Sequence, residues 1–242
     1  VKGISRAENM ELVAAIDVQE MGEDAGLLAG LPGLGVSMEP ELGEALDRSR
    51  AQVLVDFTRP DVVAANMECA LERGVRPVVG TTGLGAQDLE GFAAYCEEKE
   101  LGCVVAPNFA VGAVLLMKMS QMAASVLPAV EIIELHHEGK LDSPSGTALL
   151  TAEMIAGARG EPAQEEGPRE RGAVRRGVRI HSVRLPGLVA HQQVIFGGLG
   201  QTLSIRHDTV SREAFIPGVL IAVEKVLHLK RLVYGLEHLL DL

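Results

Sequence analysis

The chain has 242 residues, 47% of them hydrophobic, which is enough to form the core of one large domain or two modest ones. Its 22 basic and 33 acidic residues give a formal net charge of −11 at pH 7, and this acidity argues against a nucleic acid as partner. No apolar run approaches the roughly 18 residues of a membrane span, so a membrane partner is not expected either.

The cysteines indicate where the protein works. Cys69, Cys96 and Cys103 are far apart and show no C-x-x-C spacing, which favours a reducing compartment and predicts no structural zinc. No signal peptide is recognisable in the sequence. We therefore expect a cytoplasmic protein.

The N-terminal residues have the pattern of a helix end followed by a strand. Residues 1–6 are typical of the last turns of a helix, and the apolar run at 11–16 predicts a strand that is closed by Asp17. An acid that follows a strand, a glycine-rich loop and a helix accepts the adenosine ribose hydroxyls of a dinucleotide. Without those elements Asp17 is a plain turn residue.

The first strand and the glycine-rich loop of such a unit are not in this sequence. We expect a fragment that begins inside the first helix, because removing the central strand of a parallel sheet would leave both its neighbours unpaired. A protein that lacks its main phosphate-binding loop is the alternative. Val18 and Gln19 place no cation beside Asp17, which predicts that NADH is used at least as well as NADPH.

The following residues alternate between helical and strand patterns, as in a doubly wound parallel sheet. Helices are predicted at 40–50, 61–73 and 87–99, and strands at 53–57, 77–79 and 103–106. Gly80, Thr81 and Thr82 come directly after the second of these strands. Such sheets bind ligands at the carboxyl ends of their strands, so these three residues are candidates for a ligand site, with a ligand-free glycine-rich turn as the alternative.

The most informative stretch runs from 131 to 148, where a strand, a polar loop and a helix start follow one another. The strand is predicted at 131–135, and the helix at 148–158. If the strand reaches that far, His136 and His137 should leave it in opposite directions, and either can donate a proton near neutral pH. Lys140 adds a positive charge and three donors.

Residues at the start of the predicted helix form a candidate anion cradle. Ser145, Gly146 and Thr147 offer backbone N–H groups and hydroxyls where the helix dipole favours an anion. The stretch therefore suits a small, anionic, proton-accepting ligand. The alternatives are a hydrogen-bonded surface feature and ordinary helix capping, while a metal site is not expected because neighbours facing opposite ways are poorly placed to share one ion.

The C-terminal half predicts a second sheet. A helix is predicted at 111–127, a solvated loop at 159–177, and strands at 178–185, 191–196 and 201–207. Three consecutive strands after βα units indicate an open-faced sheet. Ser211 is a candidate helix cap, Pro217 predicts a helix start or kink, and the apolar segments 219–229 and 232–240 are expected to be helical and to return to the first domain.

The motif E-I-I-E-L-H-H-E-G-K-L-D-S-P-S-G-T-A at 131–148 resembles the substrate motif of the 4-hydroxy-tetrahydrodipicolinate reductase family, also called dihydrodipicolinate reductase. Further segments resemble the family in the same order: Val55 to Thr58, Gly80 to Gly83, Ala106 to Phe109, and Ser182 to Gly187. The resemblance covers essentially the whole chain, except for the absent glycine-rich loop.

The resemblance implies a fold and an activity. The fold is α/β: a Rossmann-like dinucleotide-binding domain, 1–107 joined by 216–242, and an α+β domain with an open mixed sheet, 108–215, that binds substrate and builds a homotetramer. The activity is the reduction of 4-hydroxy-tetrahydrodipicolinate to tetrahydrodipicolinate by NADH or NADPH, in lysine and diaminopimelate biosynthesis. A small dicarboxylate is thus the implied ligand.

The resemblance also implies roles for particular residues. His136 is the general acid and Lys140 assists it, while His137, Ser145, Gly146 and Thr147 hold the substrate. The residues implied to lie beside the cofactor are Asp17, Gly80, Thr81, Thr82, Ala106, Pro107, Asn108 and Phe109. Two other functions stay open from the sequence: a non-catalytic nucleotide-binding or assembly module, and a related reductase of another small anionic substrate.

Overall fold

The computed structural model describes residues 1–160 and 171–240, which divide into two compact units. The first unit comprises Val1–Phe109 and Ile216–Leu242, and the second comprises Ala110–Phe215. The division expected from the sequence, at 107 and 215, lies within two residues of these limits. No helix among the described residues is long and apolar enough to cross a membrane.

The N-terminal part of the first unit alternates helices and strands. In chain order these are α1 Lys2–Arg6, β1 Ala15–Ile16, α2 Ala25–Leu28, β2 Met38–Glu39, α3 Leu42–Ser49, β3 Val53–Asp56, α4 Val63–Glu72, β4 Arg76–Val79, α5 Ala86–Glu98 and β5 Cys103–Val105. Strands β3, β4 and β5 pair in parallel, and the helices α4 and α5 pack their buried apolar residues against β4 and β5. The predicted parallel sheet is confirmed.

The described residues of the second unit form a mixed sheet and two α-helices. Its elements are α6 Val111–Ala124, β6 Ala129–His136, α7 Gly146–Arg159, β7 Ala173–Arg175, β8 Val178–Arg184, β9 Ala190–Gly198 and β10 Gln201–Thr209, and the strand order is β10-β9-β6-β8-β7. Strand β6 is central, because it pairs in parallel with β8 and antiparallel with β9. The predicted second sheet is therefore confirmed as mixed.

The chain then returns to the first unit. A 3-10 helix at Arg212–Phe215 leads into α8 Ile216–Val226, and β11 Leu232–Tyr234 pairs in parallel with β5, so the sheet order is β11-β5-β4-β3. Pro217 lies in the first turn of α8, where its missing N–H is tolerated. Ser211 Oγ accepts a hydrogen bond from the N–H of Glu213, 3.2 Å away.

Three predictions of secondary structure are wrong. The strand expected at 11–16 has only two residues, because its partner β2 offers only Met38 and Glu39 for pairing. The segment 232–240 is not helical: its first three residues are β-branched or bulky and extend the sheet beside β5, and Gly235, with φ of 95°, turns the chain into a 3-10 helix.

The third error is the loop at 159–177. Part of it is the strand β7, which pairs with β8 through a two-residue turn at Arg176 and Gly177. Both turn residues have positive φ, 52° and 73°, as a type I′ hairpin requires. Residues 161–170 of the predicted loop lie outside the described residues.

Candidate active site

Strand β6 carries two polar side chains on one face, near its carboxyl end. Glu134 and His136 are two residues apart, so they point to the same side of the sheet. On the neighbouring strand β8, Ser182 lies beside Glu134 and Arg184 lies beside His136. The parallel register thus places an acid, an imidazole and a guanidinium together.

Glu134 is fully buried, with 0% of its side chain exposed. Arg184 binds it through two nitrogens: Nη2 donates to Oε1 at 2.8 Å, and Nη1 donates to Oε2 at 2.9 Å. Burial raises the pKa of the Glu134 carboxyl, but hydrogen bonds from His136, Arg184 and Ser182 outweigh it and lower the pKa from 4.5 to about 2. At neutral pH Glu134 is therefore an ionised, buried carboxylate.

The ionised carboxylate determines the tautomer of His136. Nδ1 of His136 lies 2.5 Å from Oε2 of Glu134. An ionised carboxylate can only accept hydrogen bonds, so Nδ1 must carry a proton. Nε2 is then the nitrogen that gains and loses a proton, and the His136 side chain is 14% exposed. This arrangement of carboxylate and imidazole orients a general acid or base.

The loop after β6 carries Lys140, which the structure pairs with an acid. Lys140 Nζ lies 2.7 Å from Oδ1 of Asp142, and this hydrogen bond lowers the pKa of the Asp142 carboxyl. The same loop is tied to the buried pair, because Nη2 of Arg184 donates to the backbone carbonyl of Asp142 at 2.7 Å. The ammonium group has three donors, so it can bind an anion while it keeps Asp142.

His137 differs from its neighbour. Strand β6 ends at His136, and His137 is exposed and accepts the N–H of Lys140 at its backbone carbonyl, 3.1 Å away. The condition for opposite-facing histidines, that the strand include both, is therefore not met at His137. Among the described residues, no group of three or more His, Cys, Asp and Glu side chains could hold a metal ion.

The helix α7 begins where the anion cradle was predicted. Ser145 is its N-cap, is 2% exposed, and accepts the N–H of Ala148 at Oγ, 3.2 Å away. A Cβ placed on Gly146 would meet no atom within 4 Å, so this end of the helix is open to a ligand. Thr147 is half-buried, and its backbone carbonyl accepts the hydroxyl of Thr151 at 2.7 Å. The three predicted cradle residues therefore lie together in the first turn.

In the first unit, the buried carboxylate of Asp56 organises the carboxyl ends of β3 and β4. Its Oδ1 accepts the N–H and the hydroxyl of Thr58, at 2.9 and 2.7 Å, and the hydroxyl of Thr81 at 3.0 Å. Its Oδ2 accepts from the amide of Asn66 at 2.8 Å. Thr81 thus serves this network, while the adjacent Thr82 is exposed.

Gly80 lies against an aromatic ring. A Cβ placed on it would lie 2.1 Å from Cε1 of Phe57, so only glycine fits beside the ring in its present position. Phe57 is 54% exposed and its ring centroid is 5.5 Å from that of Phe109, which is 1% exposed. Phe109 is therefore a core residue that supports a half-exposed ring.

The other predicted cofactor residues lie at strand ends. Ala106 follows β5 and is buried, and its N–H donates to the carbonyl of Val79 at 2.9 Å. Pro107 is exposed and Asn108 is half-buried. Asp17 follows β1, is exposed, and accepts the N–H of Gln19 at 3.0 Å, an ordinary turn bond that leaves its other oxygen available.

Sequence reasoning missed three residues that organise these sites. Glu134 and Arg184 were part of the motifs, and Asp56 was part of a strand, but none was predicted to have a role. The signal for Glu134 was its spacing of two residues before His136 in a predicted strand, which places both on one face. Nothing in the sequence pairs Arg184 with Glu134, because that contact depends on the register of β6 and β8.

Comparison with known families gives a match along nearly the whole chain. Residues 1–109 match the family model described as "Dihydrodipicolinate reductase, N-terminus", and residues 112–240 match "Dihydrodipicolinate reductase, C-terminus". The 4-hydroxy-tetrahydrodipicolinate reductase of Moorella thermoacetica is 49% identical over 99% of this chain and 92% of its own length. That of Halalkalibacterium halodurans is 50% identical over 100% of this chain and 94% of its own.

Solved structures agree. A dipicolinate-bound dihydrodipicolinate reductase from Paenisporosarcina sp. TG-14 matches with a TM-score of 0.86 and 43% identity, over 99% of this chain and 93% of that one. A probable dehydrogenase from Thermotoga maritima matches with a TM-score of 0.65 and 10% identity, covering 98% of this chain and 87% of that one. The second similarity shows the fold alone.

Proposed function

The chain belongs to the dihydrodipicolinate reductase family, and on that premise we propose which of its residues perform the reaction. The protein is an oxidoreductase that uses NADH or NADPH to reduce 4-hydroxy-tetrahydrodipicolinate to tetrahydrodipicolinate, in lysine and diaminopimelate biosynthesis. Similarity over 99–100% of this chain and 92–94% of such enzymes supports this activity rather than a non-catalytic module or a reductase of another anion.

The cofactor supplies the hydride, and the chain supplies binding, orientation and proton transfer. The carboxyl ends of the first unit's parallel strands are suited to hold the cofactor, because ligands bind at this edge of such sheets. Gly80 has no Cβ there, and Phe57 and the exposed Thr82 lie beside it. We propose that Asp17 binds the ribose hydroxyls of the cofactor. We also propose that residues 80–82 and 106–109 surround the cofactor.

The general acid is His136, and one observation carries this assignment. Its Nδ1 is held by the buried, ionised carboxylate of Glu134 at 2.5 Å, so proton exchange is confined to Nε2. Lys140 stabilises negative charge that develops on the substrate and assists the protonation. A surface histidine that only makes a hydrogen bond does not need a buried acid to keep it in one tautomer, so this contact favours a catalytic role over a surface feature.

The substrate's carboxylates are held by the start of α7 and by His137. Dipicolinate, the ligand of the Paenisporosarcina relative, is a dicarboxylate. We propose that one carboxylate rests on the N-terminus of α7, at Ser145, Gly146 and Thr147, where N–H groups and the helix dipole favour an anion. The exposed side chain of His137 binds another part of the substrate.

The substitution His136→Gln tests the assignment. Loss of the general acid is expected to slow turnover by about 10²–10⁴-fold, while binding of NADH is unchanged. Binding is measured by the enhancement of nicotinamide fluorescence, which no tryptophan obscures because the chain has none. His181→Gln is the matched control, since His181 is held by Glu131 on the opposite face of the same sheet. Undiminished turnover of His136→Gln would remove the residue from the mechanism.

Three finer properties are proposed with it. NADH is used at least as well as NADPH, because no cation adjoins Asp17; kcat/KM with each cofactor tests this. A homotetramer forms through the second unit's sheet, whose edge strand β10 exposes Leu203, and light scattering tests this. The protein is cytoplasmic, in keeping with its free cysteines, which subcellular fractionation tests.

A further inference from the structure

The ion pair of the buried Glu134 and Arg184 contacts one of the two groups to which we assign proton transfer, and it is linked to the other through Asp142. On one side, Oε2 of Glu134 lies 2.5 Å from Nδ1 of His136. On the other, Nη2 of Arg184 donates to the carbonyl of Asp142 at 2.7 Å, and the carboxylate of Asp142 holds Lys140 at 2.7 Å. One guanidinium therefore connects the end of β6 with the loop that carries the lysine.

We propose that Glu134 and Arg184 are positioning residues for the reaction: Glu134 fixes His136 as the Nδ1–H tautomer, and Arg184 fixes Glu134 and the loop that presents Lys140. This proposal rests on the proposed function of His136 and Lys140. Neither positioning residue needs to touch the substrate, because Glu134 acts through His136, and Arg184 acts through Glu134 and the loop that carries Lys140.

The geometry is specific to an arginine and a carboxylate. Both oxygens of Glu134 accept from the planar two-nitrogen fork of Arg184, and Oε2 also lies against Nδ1 of His136. Nη1 and Nη2 of Arg184 also donate to the carbonyls of Val183 and Asp142, at 2.8 and 2.7 Å. A lysine could not make these four contacts, because its donors diverge from a single nitrogen.

The same strand contains a natural comparison. Glu131 lies three residues before Glu134, so its side chain is on the opposite face of the sheet. It also contacts a histidine and an arginine, His181 and Arg171, but it is 38% exposed and it meets His181 at Nε2, 2.7 Å away. The two histidines are therefore expected in opposite tautomers.

The tautomers are read directly by NMR. In the full chain labelled with [¹⁵N]histidine and held above about pH 8, where an ordinary imidazole is neutral, we expect His136 to show a protonated Nδ1 and His181 a protonated Nε2. Signals are assigned from the spectra of His136→Gln and His181→Gln. A protonated Nε2 on neutral His136 overturns the proposal, whatever the activity of the variants.

Kinetics supply the second test. Glu134→Gln keeps the shape of the side chain but can present an N–H to the imidazole, and we expect kcat to fall at least about 10-fold while KM for NADH stays within about 2-fold. Glu131→Gln, the control on the other face, should keep kcat within about 2-fold. A Glu134→Gln enzyme with full kcat, beside an impaired His136→Gln enzyme, overturns the positioning role alone. Full turnover by His136→Gln instead overturns the proposed function.

The substitution Arg184→Lys tests the proposed role of Arg184. It also keeps the proposal testable if the Glu134→Gln variant does not fold. It keeps a cation beside Glu134, so His136 should retain its protonated Nδ1. It loses the fork and the bond to the carbonyl of Asp142, so kcat should still fall at least about 5-fold. A lowered kcat with an unchanged tautomer supports the role of Arg184 in placing Lys140. An unchanged kcat overturns it.

Discussion

The buried carboxylate of Glu134 should make the stability of this protein depend on acid in a calculable way. Its pKa is about 2 in the folded protein, against an ordinary value of 4.5. Because the folded-state pKa is lowered, the stabilising contribution is fully present above pH 4.5 and is lost as the pH falls through about 2. One pKa unit corresponds to about 1.4 kcal/mol, so the ionised carboxylate contributes about 3 kcal/mol at neutral pH.

The substitution Glu134→Gln isolates this contribution. Gln has the shape of a protonated Glu, so the variant should be less stable than the wild type by about 3 kcal/mol above about pH 5 and nearly equal to it near pH 2. Urea unfolding of both proteins across this range measures the difference in stability. The contributions of the other acidic residues to the pH dependence cancel in this difference, because both proteins contain them. A difference that stays constant between about pH 5 and pH 2 would refute the reasoning, because a lowered pKa requires it to change.

Three further substitutions test other contacts. Gly80→Ala should destabilise the protein by about 1–3 kcal/mol in thermal unfolding and weaken NADH binding, because the added Cβ would lie 2.1 Å from the Phe57 ring. The control is Gly91→Ala in α5, where the added Cβ has open space, and it should stabilise the protein by about 0.5–1 kcal/mol. Asp56→Asn should destabilise the protein by about 1–3 kcal/mol in urea unfolding, because its amide N–H would face a hydrogen-bond donor, Asn66 or Thr81. The control Asp61→Asn, at the surface, should change the stability by less than about 0.5 kcal/mol. Ser145→Ala should lose the cap of α7, about 1 kcal/mol, and raise KM for the dicarboxylate with little change in kcat; an unchanged KM would place the substrate elsewhere.

The parts of the fold that the sequence predicted are those with strong local patterns. Strands β3 and β5 are short apolar runs between helices, and both form as expected in the parallel sheet. The errors lie where a strand depends on a distant partner. β1 is limited by the length of β2, β7 exists because it pairs with β8, and β11 extends the sheet from the far end of the chain. Periodicity within a segment carries no information about such partners.

The candidate site divides in the same way. His136, Lys140 and Ser145 lie within ten residues of one another, so a strand end, a loop and a helix start could be predicted from that stretch alone. Arg184 is 50 residues from Glu134, and only the register of two parallel strands brings them to 2.8 Å. Sequence patterns therefore could not predict the roles of Glu134 and Arg184, whose side chains position other residues.

Charge pairing explains how an acidic protein can serve a dicarboxylate at this site. From the sequence we expected Lys140 to add a positive charge here, but the structure pairs Lys140 with Asp142 and Arg184 with Glu134, so these four charges cancel. The imidazole of His136 adjoins these two neutralised pairs, because its Nδ1 lies 2.5 Å from Oε2 of Glu134. The buried acid thus orients the proton donor without making the site repel its substrate, since Arg184 has already neutralised it.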